Sequence, residues 1–183
     1  MAIITLRPTG LNGGYTNQLT GSSGTTRYDL IDEDTPDDSD YVYSAANTSS
    51  VLSDFYDFDD SSNLGTINSA TLYARCRYVN IGAGDPGYIA AVALAFLNPT
   101  HTGSWQNLTT SWALYSAALS SPTWAIINST IYQLSTQNYA ANSKNYEQVQ
   151  CSQLYLVVDY TPKPSTVGVK KSTAEALRSA GCI

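Results

Sequence analysis

The stretch that most constrains the fold is residues 147–160, EQVQCSQLYLVVDY, because its side chains alternate in character. Apolar side chains occupy the odd positions as far as Cys151 and the even positions from Leu154 onward. A period of two is the pattern of a β-strand, since successive side chains point to opposite faces. The change of parity near Ser152 predicts either a β-bulge or a strand that is covered on both faces beyond that point.

Residues 68–80, NSATLYARCRYVN, are the natural partner of this strand. One face of the predicted strand is apolar, and the other carries hydroxyls together with Tyr73, Arg75 and Arg77. Two strands so far apart in sequence need intervening strands to bring them together, so we predict an all-β fold, an antiparallel β-sandwich. The side chains expected in its core are Leu72, Cys76, Leu154, Leu156 and Val158.

Shorter strands are predicted at residues 2–6, 26–31, 41–45 and 55–58, where apolar or aromatic runs are bounded by turn residues. The polar residues 99–107 are predicted to be a loop.

Residues 88–97, YIAAVALAFL, are apolar on both parities, with alanines at several odd positions. This pattern predicts a strand that is central in the sandwich or part of a subunit contact. Farther on, Thr123 is placed to cap one helical turn, and a strand is expected from residue 131.

The character of the chain changes after residue 162, so we predict a sandwich domain at residues 1–162 and a C-terminal arm at residues 163–183. Pro162 and Pro164 prevent the sheet from continuing, and the arm is basic with a short helix expected at residues 173–180. We expect the arm to bind a partner, which implies a homo-oligomer or a docked complex. The partner-binding residues predicted in it are Lys163, Lys170, Lys171, Leu177 and Arg178.

The net charge excludes one class of partner. Lys and Arg number 9 against 15 Asp and Glu, a net charge of −6, so nucleic acid is not an expected partner.

No apolar run approaches the ~20 residues of a membrane helix, and no membrane association is predicted. The opening residues lack the features of a secretory signal, so we expect synthesis in the cytoplasm without a signal peptide.

Most of the carboxylates lie in residues 29–60, a window that contains no Lys or Arg. Oxygen ligands could hold Ca²⁺ there, although the EF-hand pattern is absent. The alternatives are a solvated acidic loop and a surface that faces basic residues of a neighbouring subunit. The candidate calcium ligands are Asp32, Glu33, Asp34, Asp37, Asp38 and Asp40.

Catalysis is not predicted, because the single His101 has no nucleophile context and the carboxylates come from one segment instead of several strand ends.

Trp105, Trp112 and Trp124 could form a sugar-binding platform or be ordinary core residues. Cys76 and Cys151 lie in predicted core strands, which favours buried thiols over a bridge between them.

Six segments follow one another over most of residues 1–162: RPTG, DLIDEDTPDDSDYVYS, DFYDF, TINSATLYARCRYVN, SPTWAIINS and QCSQLYLVVDYTP. Together they resemble jelly-roll-like β-sandwich structural proteins of tailed phages and related viruses. The resemblance implies a non-enzymatic bacteriophage virion protein, a capsid decoration or similar accessory protein that binds the major capsid protein or other virion proteins. The alternatives are a glycan- or receptor-binding module of a tail or fibre, and a secreted hydrolase accessory domain.

Overall fold

The fold is known from a computed structural model, which describes residues 1–24, 26–46, 50–81, 89–97, 100–139 and 147–164. These residues form two six-stranded sheets in which every strand pairing is antiparallel. The predicted all-β sandwich is confirmed, while its jelly-roll-like connectivity stays a prediction. No helix of the described residues has the length and apolar character needed to span a membrane.

The strands are β1 (Ala2–Leu6), β2 (Pro8–Leu11), β3 (Thr20–Gly21), β4 (Val42–Tyr43), β5 (Leu52–Phe58), β6 (Gly65–Asn80), β7 (Ile89–Leu97), β8 (Thr100–Thr102), β9 (Gln106–Asn107), β10 (Ala113–Ala118), β11 (Tyr132–Tyr139) and β12 (Glu147–Pro162). The first sheet has the order β10-β6-β12-β4-β3, with β1 also paired to β12. The second has the order β2-β5-β11-β7-β8, with β9 also paired to β7.

The long strands β6 and β12 pair at the centre of the first sheet, as predicted. Cys76 lies opposite Cys151, whereas the preceding Arg75 lies opposite Gln153, so Ser152 is the extra residue of a β-bulge. The bulge moves the inward-facing positions from odd to even numbers, which is the parity change seen in the sequence.

The core lies between the two sheets. All five predicted core residues are there, each with at most 1% of its surface exposed: Leu72, Cys76, Leu154, Leu156 and Val158. The largest side chains that face them from the second sheet are Tyr56, Tyr132 and Phe96, and the ring of Tyr132 contacts that of Phe96 edge to face at 5.8 Å. A single continuous apolar core therefore joins the sheets.

Strand β7 is central in the second sheet, between β11 on one side and β8 and β9 on the other. Val92, Leu94 and Phe96 belong to the core between the sheets. The alternate positions Ala91 and Ala93 are also buried. The prediction of a strand that is central in the sandwich is confirmed, whereas its alternative, a subunit contact, stays a prediction.

The one α-helix in the described residues, α1, spans Trp124–Ser129. The Thr123 side chain accepts a hydrogen bond from the backbone N–H of Ile126 at 3.2 Å, so the predicted cap is confirmed. The indole N–H of Trp124 donates to the carbonyl of Gly65 at 2.7 Å, which ties the helix to the start of β6.

Two sequence predictions of local structure are wrong. Residues 26–31 were expected to form a strand, but Arg27–Leu30 is a 3₁₀ helix in which Leu30 and the following Ile31 are both buried. Consecutive buried positions do not fit a strand with one covered face. Residues 99–107 were expected to be a loop, but the segment contains strands β8 and β9 at the edge of the second sheet.

The predicted arm begins where β12 ends. The backbone N–H of Lys163 donates to the carbonyl of Leu64 at 3.1 Å. Lys170, Lys171, Leu177 and Arg178 lie outside the described residues, so their role in binding a partner stays a prediction.

Candidate functional site: the outer face of the first sheet

Three carboxylates of the acidic window pair with arginines of the same chain, whereas an ion or a neighbouring subunit as the partner of its other carboxylates stays a prediction. Three pairs form, and each joins residues that are far apart in sequence. They are Arg7–Asp34 at 2.9 Å, Arg27–Asp54 at 3.3 Å and Arg75–Asp38 at 2.8 Å. Folding supplies the cations that the window itself lacks.

The six calcium candidates do not converge. No three Asp, Glu, His or Cys side chains within the described ranges are arranged to hold a metal ion. Asp37 accepts hydrogen bonds from the backbone and hydroxyl of Ser39, which lower its pKa, and burial raises the pKa of Asp32. Asp40 donates its backbone N–H to the Asp37 carbonyl at 3.2 Å, in the same turn.

Asp54 has a structural role. Its fully buried Oδ1 accepts the backbone N–H groups of Gln18 and Leu19 and the Arg27 guanidinium. Its Oδ2 accepts the hydroxyl of Tyr56 at 3.2 Å. The carboxylate thus fastens the segment before β3 to the second sheet, and burial raises its pKa.

The polar faces of β6 and β12 form the most chemically varied surface of the described residues. Tyr73 and Tyr155 are register partners, and their rings stack with centroids 5.3 Å apart and planes 17° apart. The guanidinium of Arg7 lies 5.6 Å from the centroid of the Tyr155 ring. We call this surface, together with the outward side chains of β1 and β10, the outer face of the first sheet.

Arg75 and Arg77 of β6 extend this face, and Trp112, the residue before β10, packs beside them. The Arg77 guanidinium lies 4.5 Å from the centroid of the Trp112 ring, and that of Arg75 lies 5.8 Å away. Arg77 also donates its Nε–H to Oε1 of Gln150 at 2.9 Å. The ring of Tyr41 contacts Trp112 at 6.4 Å. These contacts hold the long side chains in place.

Arg75 is held more firmly still. Its Nε and Nη2 each donate to a different oxygen of Asp38 at 2.8 Å, and the hydroxyl of Ser152 donates to the same carboxylate at 3.0 Å. The Arg75 hydrogen bonds hold the pKa of Asp38 below its ordinary value, and the pKa of Arg75 is raised. The bulge residue Ser152 therefore helps to position the face.

A groove of about 300 Å³ lies on this face, between the acidic loop and β10. It combines charged, aromatic, hydroxyl and apolar groups. Its lining residues are Thr5, Arg7, Asp34, Pro36, Arg75, Leu114, Gln153 and Tyr155. Leu114, on the edge strand β10, is 54% exposed.

The three tryptophans do not form one platform, which corrects that alternative. Trp112 lies beside Arg77, whereas Trp124 bonds to Gly65 and contacts Tyr160. Gly65 and Arg77 are twelve positions apart on one strand, which corresponds to roughly 40 Å. Trp105 belongs to the segment between β8 and β9, on the second sheet.

His101 and the two core cysteines, Cys76 and Cys151, all lie in strands. His101 lies in β8, opposite Phe96. Cys76 and Cys151 are buried free thiols, and burial raises the pKa of Cys76 well above its ordinary value. A thiol in this state is a poor nucleophile.

One feature of the sequence indicates this face, although it points to neither a metal nor a catalytic site. Tyr73, Arg75 and Arg77 occupy successive outward positions of β6, where an ordinary exposed strand would carry Ser and Thr. Arg7 and Tyr155 could be assigned to the same face only after the pairing of β1 with β12 was known.

No family model matches the chain, and no curated protein matches it.

Proposed function

We propose that this protein is a non-enzymatic structural protein of a virus particle, a capsid decoration or similar accessory protein with a jelly-roll-like sandwich. The resemblance to structural proteins of tailed phages supports the location in a virion. The outer face of the first sheet supports the mode of action, which is docking on the major capsid protein or another virion protein.

The composition of the outer face is the observation that carries this proposal. Arg, Tyr and Trp are the side chains enriched at the energetic centres of protein interfaces. Here Tyr73, Arg75, Arg77 and Trp112 are already held by one another and by Asp38. Side chains that are ordered before binding lose less conformational entropy when a partner arrives.

The charge on this face also favours a protein partner over nucleic acid. Arg7 and Arg75 are each matched by an aspartate of the acidic loop. The face therefore has little net positive charge to attract phosphate, and its binding depends on shape, ring contacts and directional hydrogen bonds.

Leu114→Asp tests the docking surface. The side chain is 54% exposed on the edge strand β10, so a charge there should leave the fold intact and reduce occupancy on particles that lack the native protein. Occupancy is measured by electron microscopy and by gel quantification of purified particles. Val51→Asp is the matched control, because Val51 is 43% exposed and lies beside β5 of the second sheet. Equal occupancy for the two variants would contradict docking through the first sheet.

A second candidate function is a glycan- or receptor-binding module of a tail or fibre. The groove favours it, because ring, hydroxyl, guanidinium and carboxylate groups converge there. Binding of the isolated protein to glycans, without any particle protein, distinguishes this function from capsid docking.

A further inference from the structure

The two arginines of the groove have unused hydrogen-bond donors. Arg75 donates hydrogen bonds to Asp38 from Nε and Nη2, and its Nη1 donates to no described residue. Arg7 donates from Nε to Asp34 at 2.9 Å and from Nη1 to the carbonyl of Glu33 at 2.5 Å. Its Nη2 has no partner in the described part of the chain. Each guanidinium is therefore fixed along one edge and offers donors along the other.

Acceptors and hydroxyls lie in the same groove. The Asp34 side chain is 96% exposed and uses Oδ1 for Arg7, which leaves Oδ2 able to accept. The hydroxyls of Thr5 and Tyr155 form no hydrogen bond with another residue that the structure describes. Donors, acceptors and hydroxyls thus alternate around one small space.

The groove also supplies apolar contact and is formally neutral. Leu114 and Pro36 line it, and both are exposed. The positive charges of Arg7 and Arg75 are balanced by Asp34 and Asp38. An anionic ligand would gain no net charge attraction and would meet the Asp34 carboxylate. A neutral ligand with vicinal hydroxyls and an apolar C–H face satisfies both kinds of lining.

We propose that this groove is a binding site for a neutral pyranose, held by hydroxyl hydrogen bonds to Arg7, Arg75, Asp34 and Tyr155 and by C–H contact with Leu114. Its volume of about 300 Å³ suits a single sugar ring or a disaccharide. The inference deepens the glycan-binding candidate function and does not depend on docking to a capsid.

The test is a titration of the full isotope-labelled chain, followed by NMR of backbone amides and arginine Nε–H groups. The probes are methyl β-glucoside, methyl β-galactoside and N-acetylglucosamine at millimolar concentration, with acetate as the anionic comparison. We expect at least one sugar to cause saturable shifts at Arg7, Arg75 and Tyr155. No saturable shift with any of the three sugars, or a response to acetate alone, overturns the proposal.

Two variants locate the binding. Arg75→Lys keeps the charge beside Asp38 but removes the free guanidinium edge, so the sugar should bind about tenfold more weakly. Arg77→Lys is the matched control on the same strand and face, outside the groove, and should bind as the native chain does. Equal weakening by both variants would contradict the assignment.

Tyr155→Phe provides a second measurement, because it keeps the stacked ring and removes only the hydroxyl. A loss of several-fold in affinity is expected, and unchanged affinity in both Tyr155→Phe and Arg75→Lys rejects the site. The particle assay with Leu114→Asp is independent of this result. Loss of occupancy without any sugar binding would leave capsid docking in place and remove the glycan site.

Discussion

The outer faces of the two sheets differ in what their side chains can still bind. On the first sheet, long side chains such as Arg75 and Tyr155 line the groove, and Nη1 of Arg75 and the hydroxyl of Tyr155 donate to no residue within the described ranges. On the second, Ala93, Ser135 and Ser53 lie side by side across three strands and are all buried. The Ser53 and Ser135 hydroxyls bond each other at 2.8 Å. Polar groups that satisfy one another stabilise a sheet, whereas polar groups held by a neighbour but left partly unused can bind a ligand.

The largest expected effect comes from the core that both sheets share. Leu156→Ala should lower the free energy of unfolding by about 2–5 kcal/mol, because the side chain is fully buried and the cavity would be only partly filled. Chemical denaturation followed by circular dichroism measures it. Val157→Ala, on the outer face of the same strand, is the control and should cost much less. Similar losses for the two variants would mean that the outer face is packed like the core.

A smaller loss of stability is expected when a side chain is enlarged on the outer face of the second sheet, but not on that of the first. Ala93→Leu should destabilise the protein by about 1–3 kcal/mol, because the position is buried on the parity that faces away from the core. Thr71→Leu, at a partly exposed outward position of β6, should have little effect. Thermal melts of both variants give the comparison, and a neutral Ala93→Leu would show that the second sheet has room on its outer face.

The smallest effect is a difference in pH dependence between two aspartates. The Arg75 hydrogen bonds lower the folded-state pKa of Asp38 below its ordinary 3.8, so its stabilising contribution is present above pH 3.8 and is lost as pH falls through the lowered pKa. Burial raises the folded-state pKa of Asp54 above 3.8, so its contribution to stability decreases as pH rises from 3.8 through the raised pKa.

Asp38→Asn and Asp54→Asn test these opposite signs. The stability advantage of the native chain over Asp38→Asn should be below about 1 kcal/mol at neutral pH, since the pair is partly exposed, and should shrink in acid. Relative to the native chain, Asp54→Asn should improve as pH rises, because the amide does not ionise and so avoids the cost of a buried charge. Melting temperatures across the acidic range measure both. Parallel pH profiles for the two variants would refute the assignment.

The central part of the fold could be predicted because it depends on local periodicity. The pairing of β6 with β12, the bulge at Ser152 and the cap at Thr123 each follow from patterns within a few neighbouring residues. The 3₁₀ helix at Arg27–Leu30 was missed because its apolar residues fit a short strand almost as well as a helical turn.

The outer face of the first sheet could not be predicted, because the order of the strands brings its residues together. Arg75 and Asp38 are 37 positions apart, and Arg7 and Asp34 are 27 apart. In sequence the acidic window has no cations, and that observation was correct. Three of its carboxylates meet arginines of the same chain, and two of these arginines, Arg7 and Arg75, reach the acidic loop from the residue after β1 and from β6.

The place of β12 in the chain also affects how the protein is made. Strands β1, β4 and β6 all pair with β12, which follows every other strand in chain order. The second sheet is fully synthesised by Tyr139, so it can form while the first still lacks its central strand. During that interval Leu94 and Phe96 have no completed sheet opposite them, and the newly made chain presents an apolar surface that is prone to aggregation. A chain that ends before residue 147 would therefore expose this apolar surface, even though it contains most of the described strands.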